Sequence, residues 1–183
     1  MAHRFPGREK ARLKDERRRE VQPAQGIIAR MSSRASEVCV DLGSGPGYIT
    51  VPLSRLVSRV IAIDVQREML NALMDDAGER DNIAPVVADA GHIPLMDASV
   101  DRFVLVNVLH EFEDAGRTID DIARILRPGG RVSLVDFPPR PTSMGPPVDE
   151  RIDIDEAVEM FSRFRVIGRW ELSEYYQLEM ERT

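Results

Sequence analysis

Apolar positions along the chain switch repeatedly between two periodicities, and the switching predicts the fold class before any single residue is considered. Residues 23–32 (PAQGIIARMS) have the spacing of a short helix. Glu37–Leu42 (EVCVDL) is short, rich in valine and followed at once by glycines, which reads as a buried strand. A helix over Gly47–Val57, kinked by Pro52, a second strand at Arg59–Ile63 and an amphipathic helix over Gln66–Gly78 follow. Strands at Ile83–Ala88 and Asp101–Asn107 come next, then a helix over Asp114–Leu126. Arg127-Pro128-Gly129-Gly130 reads as a stop and turn before a fifth strand, Arg131–Phe137. Strands alternating with helices of this length predict a mostly parallel sheet covered on both faces.

The last fifty residues break the alternation. Residues 138–147 (PPRPTSMGPP) hold five prolines and predict a conformationally restricted loop. A helix over Asp149–Phe164 is expected to follow. Arg165–Leu172 and Glu174–Glu181 are strand-like runs with almost nothing between them, which implies an antiparallel hairpin.

Composition narrows the setting. At 183 residues the chain suits one domain with small trimmings: a basic arm or polar helix over 1–22 and a single domain over 23–183. The net charge of −6 is uneven: residues 1–20 carry eight basic and four acidic side chains, leaving −10 on the rest. The arm has too few apolar residues to drive docking and reads as solvated, or alternatively as a flap that supplies an arginine to a site. Overall acidity and an aromatic content of 5% argue against a nucleic-acid binder. One cysteine, Cys39, and three scattered histidines leave no disulfide and no metal-ligand spacing, so no metal is expected. No apolar run approaches the ~18 residues of a membrane span, and the first ten residues lack the apolar stretch of a signal peptide. A cytoplasmic setting is the expectation.

Val38–Thr50 (VCVDLGSGPGYIT) carries the chemistry. Gly43, Gly45 and Gly47 lie between a strand and a helix, where glycine permits positive φ and close approach of a ligand to the backbone. The helix start offers unpaired N–H groups to an anion. A phosphate loop is excluded because no lysine occurs after residue 14. The dinucleotide pattern G-x-G-x-x-G would need glycine where Tyr48 stands. Asp41 would repel a pyrophosphate but could accept hydrogen bonds from an ammonium. The mixture suits a zwitterion joined to a nucleoside.

Asp41-Leu42-Gly43-Ser44-Gly45-Pro46-Gly47, with Asp64 ending the second strand, resembles the cofactor signature of class I S-adenosylmethionine-dependent methyltransferases, and of their small, quinone-biosynthesis-like members in particular. Asp89-Ala90, Asn107-Val108-Leu109-His110, Leu126–Gly130 and the terminal hairpin extend the likeness from Pro23 to Glu181. The resemblance implies an α/β, Rossmann-like, doubly wound seven-stranded sheet of order 3-2-1-4-5-7-6 with its last strand antiparallel. It also implies S-adenosylmethionine as cofactor. Asp41, Gly43, Ser44, Gly45, Gly47 and Tyr48 would lie around the methionine end, Asp64 at the ribose diol and Val65 at the adenine face. Asp89 and Ala90 would reach the adenine edge, and the Asn107 carbonyl the ammonium. Simpler roles compete: Asp64 as a helix cap, Asp89 and Asn107 as turn formers, Tyr48 as packing.

His110, at the end of a strand on the rim where ligands bind, is the candidate general base. With no added recognition domain, the expected acceptor is a small molecule, closed over by the arm and the proline-rich loop. A cofactor-binding module without catalysis and an NAD-dependent oxidoreductase are the competing functions.

Overall fold

The computed structural model describes residues 16–183, so most of the basic arm lies outside the described residues. Seven strands form one sheet: β1 Val38–Leu42, β2 Arg59–Asp64, β3 Ile83–Val87, β4 Val100–Val106, β5 Leu126–Asp136, β6 Phe164–Glu171 and β7 Tyr176–Arg182. Their order is β3-β2-β1-β4-β5-β7-β6. The first five strands are parallel. β7 runs antiparallel to both neighbours, closing the sheet with the expected hairpin. This is the doubly wound architecture implied by the sequence.

Period-two alternation sends each strand to two cores. Val40, Leu42, Phe103, Leu105, Val132 and Leu134 face α5 (Ala115–Ile125) and α6 (Ile154–Met160), meeting Ile119, Ile122, Ala157 and Phe161. Cys39, Val60, Val104 and Val135 face the other way, towards α2 (Ala24–Met31) and α3 (Thr50–Leu53). α4 (Arg67–Ala77) covers the edge near β2 and β3 through Leu70, Leu73 and Ala77.

Four local expectations change. The helix over 47–57 shrinks to α3, because Pro52 has no N–H and the following amides of Arg55 and Leu56 turn back three residues to Pro52 and Leu53. Arg127–Gly130 is not a free turn before β5 but a bulge inside it: Val100 pairs with Leu126 and Arg102 with Arg131, so the intervening residues loop out of register. The helix over 149–164 begins only at Ile154. Asp153 accepts the Asp155 amide at 2.9 Å and caps the start, while Val148–Glu150 forms a separate 3₁₀ turn. Finally, the described end of the arm keeps Glu16, Arg17, Arg19 and Glu20 exposed but buries Arg18. Glu16–Val21 is a helix, α1, and its Arg18 is only 7% exposed.

The proline-rich loop is tied down from two sides, by Arg151 and by Glu174, which accepts the amide (2.6 Å) and hydroxyl (2.7 Å) of Ser143. Arg151 donates to the carbonyls of Pro146 (2.9 Å) and Arg140 (2.6 Å) and to Thr142 Oγ1 (2.7 Å), with its guanidinium 5.4 Å from the Phe137 ring centre. No described helix is long and apolar enough to cross a membrane.

Candidate functional site

A cavity of about 410 Å³ opens at the carboxyl ends of β1, β2 and β4, where the chain order reverses and an open α/β sheet leaves its ligand crevice. The volume lies within the usual range of small-molecule sites. Asp41, Gly43, Ser44, Gly45, Tyr48, Asp64, Val65, Asp89, Ala90 and Asn107 all line it. Gly47 and His110 do not line it.

The glycine loop is shaped more by its packing than by open space. Gly43 adopts φ +72°, and a Cβ there would lie 2.5 Å from Val108 Cγ2. Gly47, at φ +93°, would meet Leu73 Cγ of α4 at 2.9 Å. These two glycines therefore let the loop settle between the β4 rim and α4. The Ile63 carbonyl holds the loop from below, accepting the amides of Gly43 (2.9 Å) and Ser44 (3.0 Å).

Asp64 gathers two backbone amides at the end of β2. Its Oδ1 accepts the Gln66 amide at 2.8 Å, a turn bond leading into α4, and its Oδ2 accepts the Gly45 amide at 2.8 Å. Burial pushes its pKa up, against the pull of these two amides. Each carboxylate oxygen still has lone-pair capacity for a donor from the cavity. Asp41 is more deeply placed. Burial raises it to about 6, opposed first by the Thr50 hydroxyl, which donates to Oδ2 at 2.6 Å, and then by Arg18.

Asp89 is exposed, and its Oδ1 accepts the Gly91 amide at 2.8 Å in a tight turn. Val65 presents an apolar side chain that is 40% exposed. Asn107 adopts φ +59°, a conformation that asparagine tolerates better than most residues. Its side chain exchanges two hydrogen bonds with Gln22: Gln22 Nε2 donates to Asn107 Oδ1 at 3.0 Å, and Asn107 Nδ2 donates to Gln22 Oε1 at 2.8 Å. The Tyr48 hydroxyl donates to the Gln22 carbonyl at 2.9 Å. Arg18 lies with its guanidinium 4.1 Å from the Tyr48 ring centre and lines the cavity.

Sequence reasoning did not single out Gln22, Thr50 or Arg18 by number. Only the arm's positive charge hinted at an arginine, and nothing local marks a glutamine 85 positions from its asparagine partner.

The rim histidine lies just beyond the end of β4. His110 lies in a 3₁₀ turn, Leu109–Glu111, with Nδ1 3.1 Å from Asp136 Oδ1 at the end of β5. Burial pulls its pKa down, but the bond to Asp136 and that carboxylate's charge outweigh it, so the net shift is upward. The imidazole thus spans the ends of β4 and β5 outside the cavity lining. The upward shift keeps the imidazole protonated to higher pH than an isolated histidine.

Ser44 Oγ is a buried hydroxyl facing this arrangement with no hydrogen-bond partner among the described residues. An orphaned hydroxyl beside a buried carboxylate and a buried guanidinium fits a ligand with both charges and further polar groups, as the amino-acid end of S-adenosylmethionine has. Among the described residues, no group of three or more His, Cys, Asp or Glu side chains could hold a metal ion.

The family model described as methyltransferase domain matches residues 40–134, which contain the glycine loop, Asp64, Asp89 and the β4 rim. The chain is 39% identical over 123 residues to an uncharacterized methyltransferase of Mycobacterium tuberculosis, a match covering 66% of this chain and 47% of that protein. It is 33% identical over 134 residues to a ubiquinone/menaquinone biosynthesis C-methyltransferase of Hahella chejuensis, covering 69% of this chain and 52% of the other. The chain thus spans about half the length of these curated relatives. In fold it resembles a SAM dependent methyltransferase from Aquifex aeolicus, with a TM-score of 0.92 and 22% identity over 98% of this chain and 100% of that one.

Proposed function

The chain belongs to the methyltransferase domain family, and from that premise we propose that it transfers a methyl group from S-adenosylmethionine to a small-molecule acceptor. The observation that carries the reading is the tether between Gly45 and Asp64, which joins a glycine loop to a strand-two carboxylate on one cavity wall. Bound S-adenosylmethionine supplies an activated methyl carbon on a sulfonium, open to in-line displacement.

The chain's own residues bind and orient. Asp64 offers its remaining lone pairs to the ribose hydroxyls. Asp41 and the Asn107 carbonyl face the ammonium, and the Gly43–Gly47 backbone with Tyr48 encloses the methionine end. Val65 packs on the adenine, whose edge Asp89 and Ala90 meet. These groups hold the reacting carbon in line and keep water out, which accounts for much of the catalysis such a transfer needs. His110 serves as a brace between the ends of β4 and β5. It takes a proton from an acceptor only at a pH high enough to leave the imidazole neutral.

A small acceptor is supported by the cavity volume of about 410 Å³, within the usual range of small-molecule sites. It is also supported by relatives whose printed names place them in ubiquinone and menaquinone biosynthesis. The loop 138–147 and α1 are the segments that would shape its pocket.

The test compares ligands by thermal melting. S-adenosylhomocysteine at a hundredfold excess over its Kd should stabilise the fold by about 2.7 kcal/mol, because it binds only the native state. NAD should leave the melting temperature unchanged. A shift with NAD and none with S-adenosylhomocysteine would replace this reading with an oxidoreductase.

A further inference from the structure

We propose that the small cavity walled by Pro138, Pro139, Asp153, Leu172, Tyr175 and Tyr176 is a second binding site, one that takes a ring carrying a protonated amine. It shares no lining residue with the cofactor cavity, so it stands whether or not that cavity takes S-adenosylmethionine.

The cavity lies where the ends of β5 and β6 meet the start of β7, beside Asp153 and Ile154 at the start of α6. Pro138 and Pro139 lack the amides that would extend β5, so the chain leaves the sheet there. Arg140 then fastens the departing loop to the β6–β7 turn, donating to the carbonyls of Ser173 (2.7 Å) and Leu172 (2.9 Å). The enclosed volume is about 180 Å³. That is below the usual range for a whole ligand and leaves room for one ring with its substituent.

The observation that points to a ligand is the Tyr176 hydroxyl. Tyr176 is 1% exposed, and its Oη has no hydrogen-bond partner among the described residues. A buried hydroxyl left unpaired is costly. The carboxylate across the sheet is committed elsewhere. Asp136 stands opposite Tyr176 in the β5–β7 pairing, but it is held by His110 Nδ1 at 3.1 Å and by the Phe137 amide at 2.8 Å. Burial pushes the Tyr176 phenol up, and the charges of Asp136, Asp153 and Glu156 push it the same way. The hydroxyl thus stays protonated and sits within the field of Asp153, which shares the cavity wall.

The spare capacity of the cavity consists mostly of acceptors. Asp153 gives one oxygen to the Asp155 amide at 2.9 Å and forms no ion pair among the described residues. Glu171, also in the lining, is taken by Arg169, and both terminal nitrogens of Arg140 are taken by carbonyls. An anion would meet two carboxylates with little but the Tyr176 hydroxyl to donate to it. An ammonium brings its own donors, for the Tyr176 oxygen and for the Asp153 carboxylate, the latter bond being charge-assisted. Pro138, Pro139 and Leu172 supply apolar surface for the ring that carries it.

The experiment uses benzylamine and benzoate, one ring with opposite charges, titrated into the full chain and followed by backbone amide NMR shifts. Benzylamine should move the amides of Ile154, Tyr175 and Tyr176 with an affinity of about 1 mM, ordinary for so small a molecule. Benzoate should not move them. Tyr176→Phe should weaken benzylamine by roughly 3- to 10-fold without lowering the melting temperature, because the hydroxyl it removes has no partner to lose. Asp153→Asn, which keeps a good helix cap, should weaken it by about 10-fold or more. Equal binding of benzoate, unchanged affinity in both variants, or benzylamine shifts confined to Gly43–Gly47 would overturn the assignment. So would a lower melting temperature in Tyr176→Phe, which would show that the hydroxyl already serves the fold.

Discussion

The amide of Gly45 donates to Asp64 Oδ2 at 2.8 Å, joining the loop after β1 to the end of β2 across 19 positions of sequence. The same carboxylate accepts the Gln66 amide through its other oxygen. One side chain thus sets the position of the glycine loop, starts the turn into α4 and presents charge to the cavity. Burial of a carboxylate is costly unless donors surround it, and these two amides offset much of that cost while leaving capacity for a ligand.

Replacing Asp64 by alanine should therefore cost twice. S-adenosylhomocysteine binding should weaken by about 1–3 kcal/mol, the range for lost hydrogen bonds to a charged group. The Gly45 amide should lose hydrogen-exchange protection even without ligand. Calorimetry and exchange measured on the same variant separate the effects. Weaker binding with unchanged Gly45 protection would mean that the tether plays no part in holding the loop.

Gly43→Ala combines an unfavourable φ with a Cβ placed 2.5 Å from Val108 Cγ2. The expected destabilisation is about 2–4 kcal/mol, from strain in the left-handed region together with overpacking. Trimming the neighbour in Gly43→Ala/Val108→Ala should remove the clash but not the φ strain. In denaturant titrations the double variant should then be more stable than the two single losses summed. Strict additivity would show that the clash is relieved elsewhere.

Asp41 is expected to make cofactor binding depend on pH. Its folded pKa, about 6, lies above the ordinary 3.8, so the folded protein holds this proton more tightly than the unfolded chain. Between those values, rising pH favours the unfolded state, and above about 6 the full cost of the buried charge is present. An ammonium in the cavity reverses the preference by selecting the ionised carboxylate. S-adenosylhomocysteine affinity should therefore rise from pH 5 to pH 7, with release of a proton detectable in buffers of different ionisation enthalpy. Asp41→Asn should bind more weakly and show a flatter profile. An affinity that falls over this interval would exclude Asp41 as the ammonium's partner.

Away from the cavity, Arg102 on β4 is fully buried between two glutamates. Its Nε donates to Glu37 Oε2 at 3.0 Å and its Nη1 to Glu179 Oε2 at 3.1 Å. Removing the cation in Arg102→Ala leaves Glu37 to the exposed Arg34 and Glu179 to the neutral Gln177 amide, and should cost about 3–5 kcal/mol. The loss should be smaller at pH 5 than at pH 8, because burial pushes the Glu179 carboxyl up and favours its neutral form as the pH falls. Chemical denaturation at the two pH values provides the comparison. A loss below 1 kcal/mol at pH 8 would mean that the triad is dispensable.

The strand pattern, the glycine loop and the carboxylates at strand ends were legible because each is written within a few consecutive residues. Valine-rich runs can only be buried strands at that length, and glycines between strand and helix mark backbone that other residues cannot adopt. The sequence by itself therefore determined the parallel sheet with its closing hairpin and the place of the cavity. It could not reveal that Arg102, inside an apolar strand, meets Glu37 and Glu179 at 65 and 77 positions' distance. Nor could it show that a charge-rich helix docks through Arg18 and Gln22, or that His110 turns to Asp136 rather than to the cavity. Those outcomes belong to tertiary structure alone. Local periodicity reports which side of an element faces apolar surroundings, whereas the partner of a charged or amide side chain is set by which strands and helices become neighbours. Topology brought Asp41 of β1 and Arg18 of α1 to one cavity, and no local pattern records their meeting.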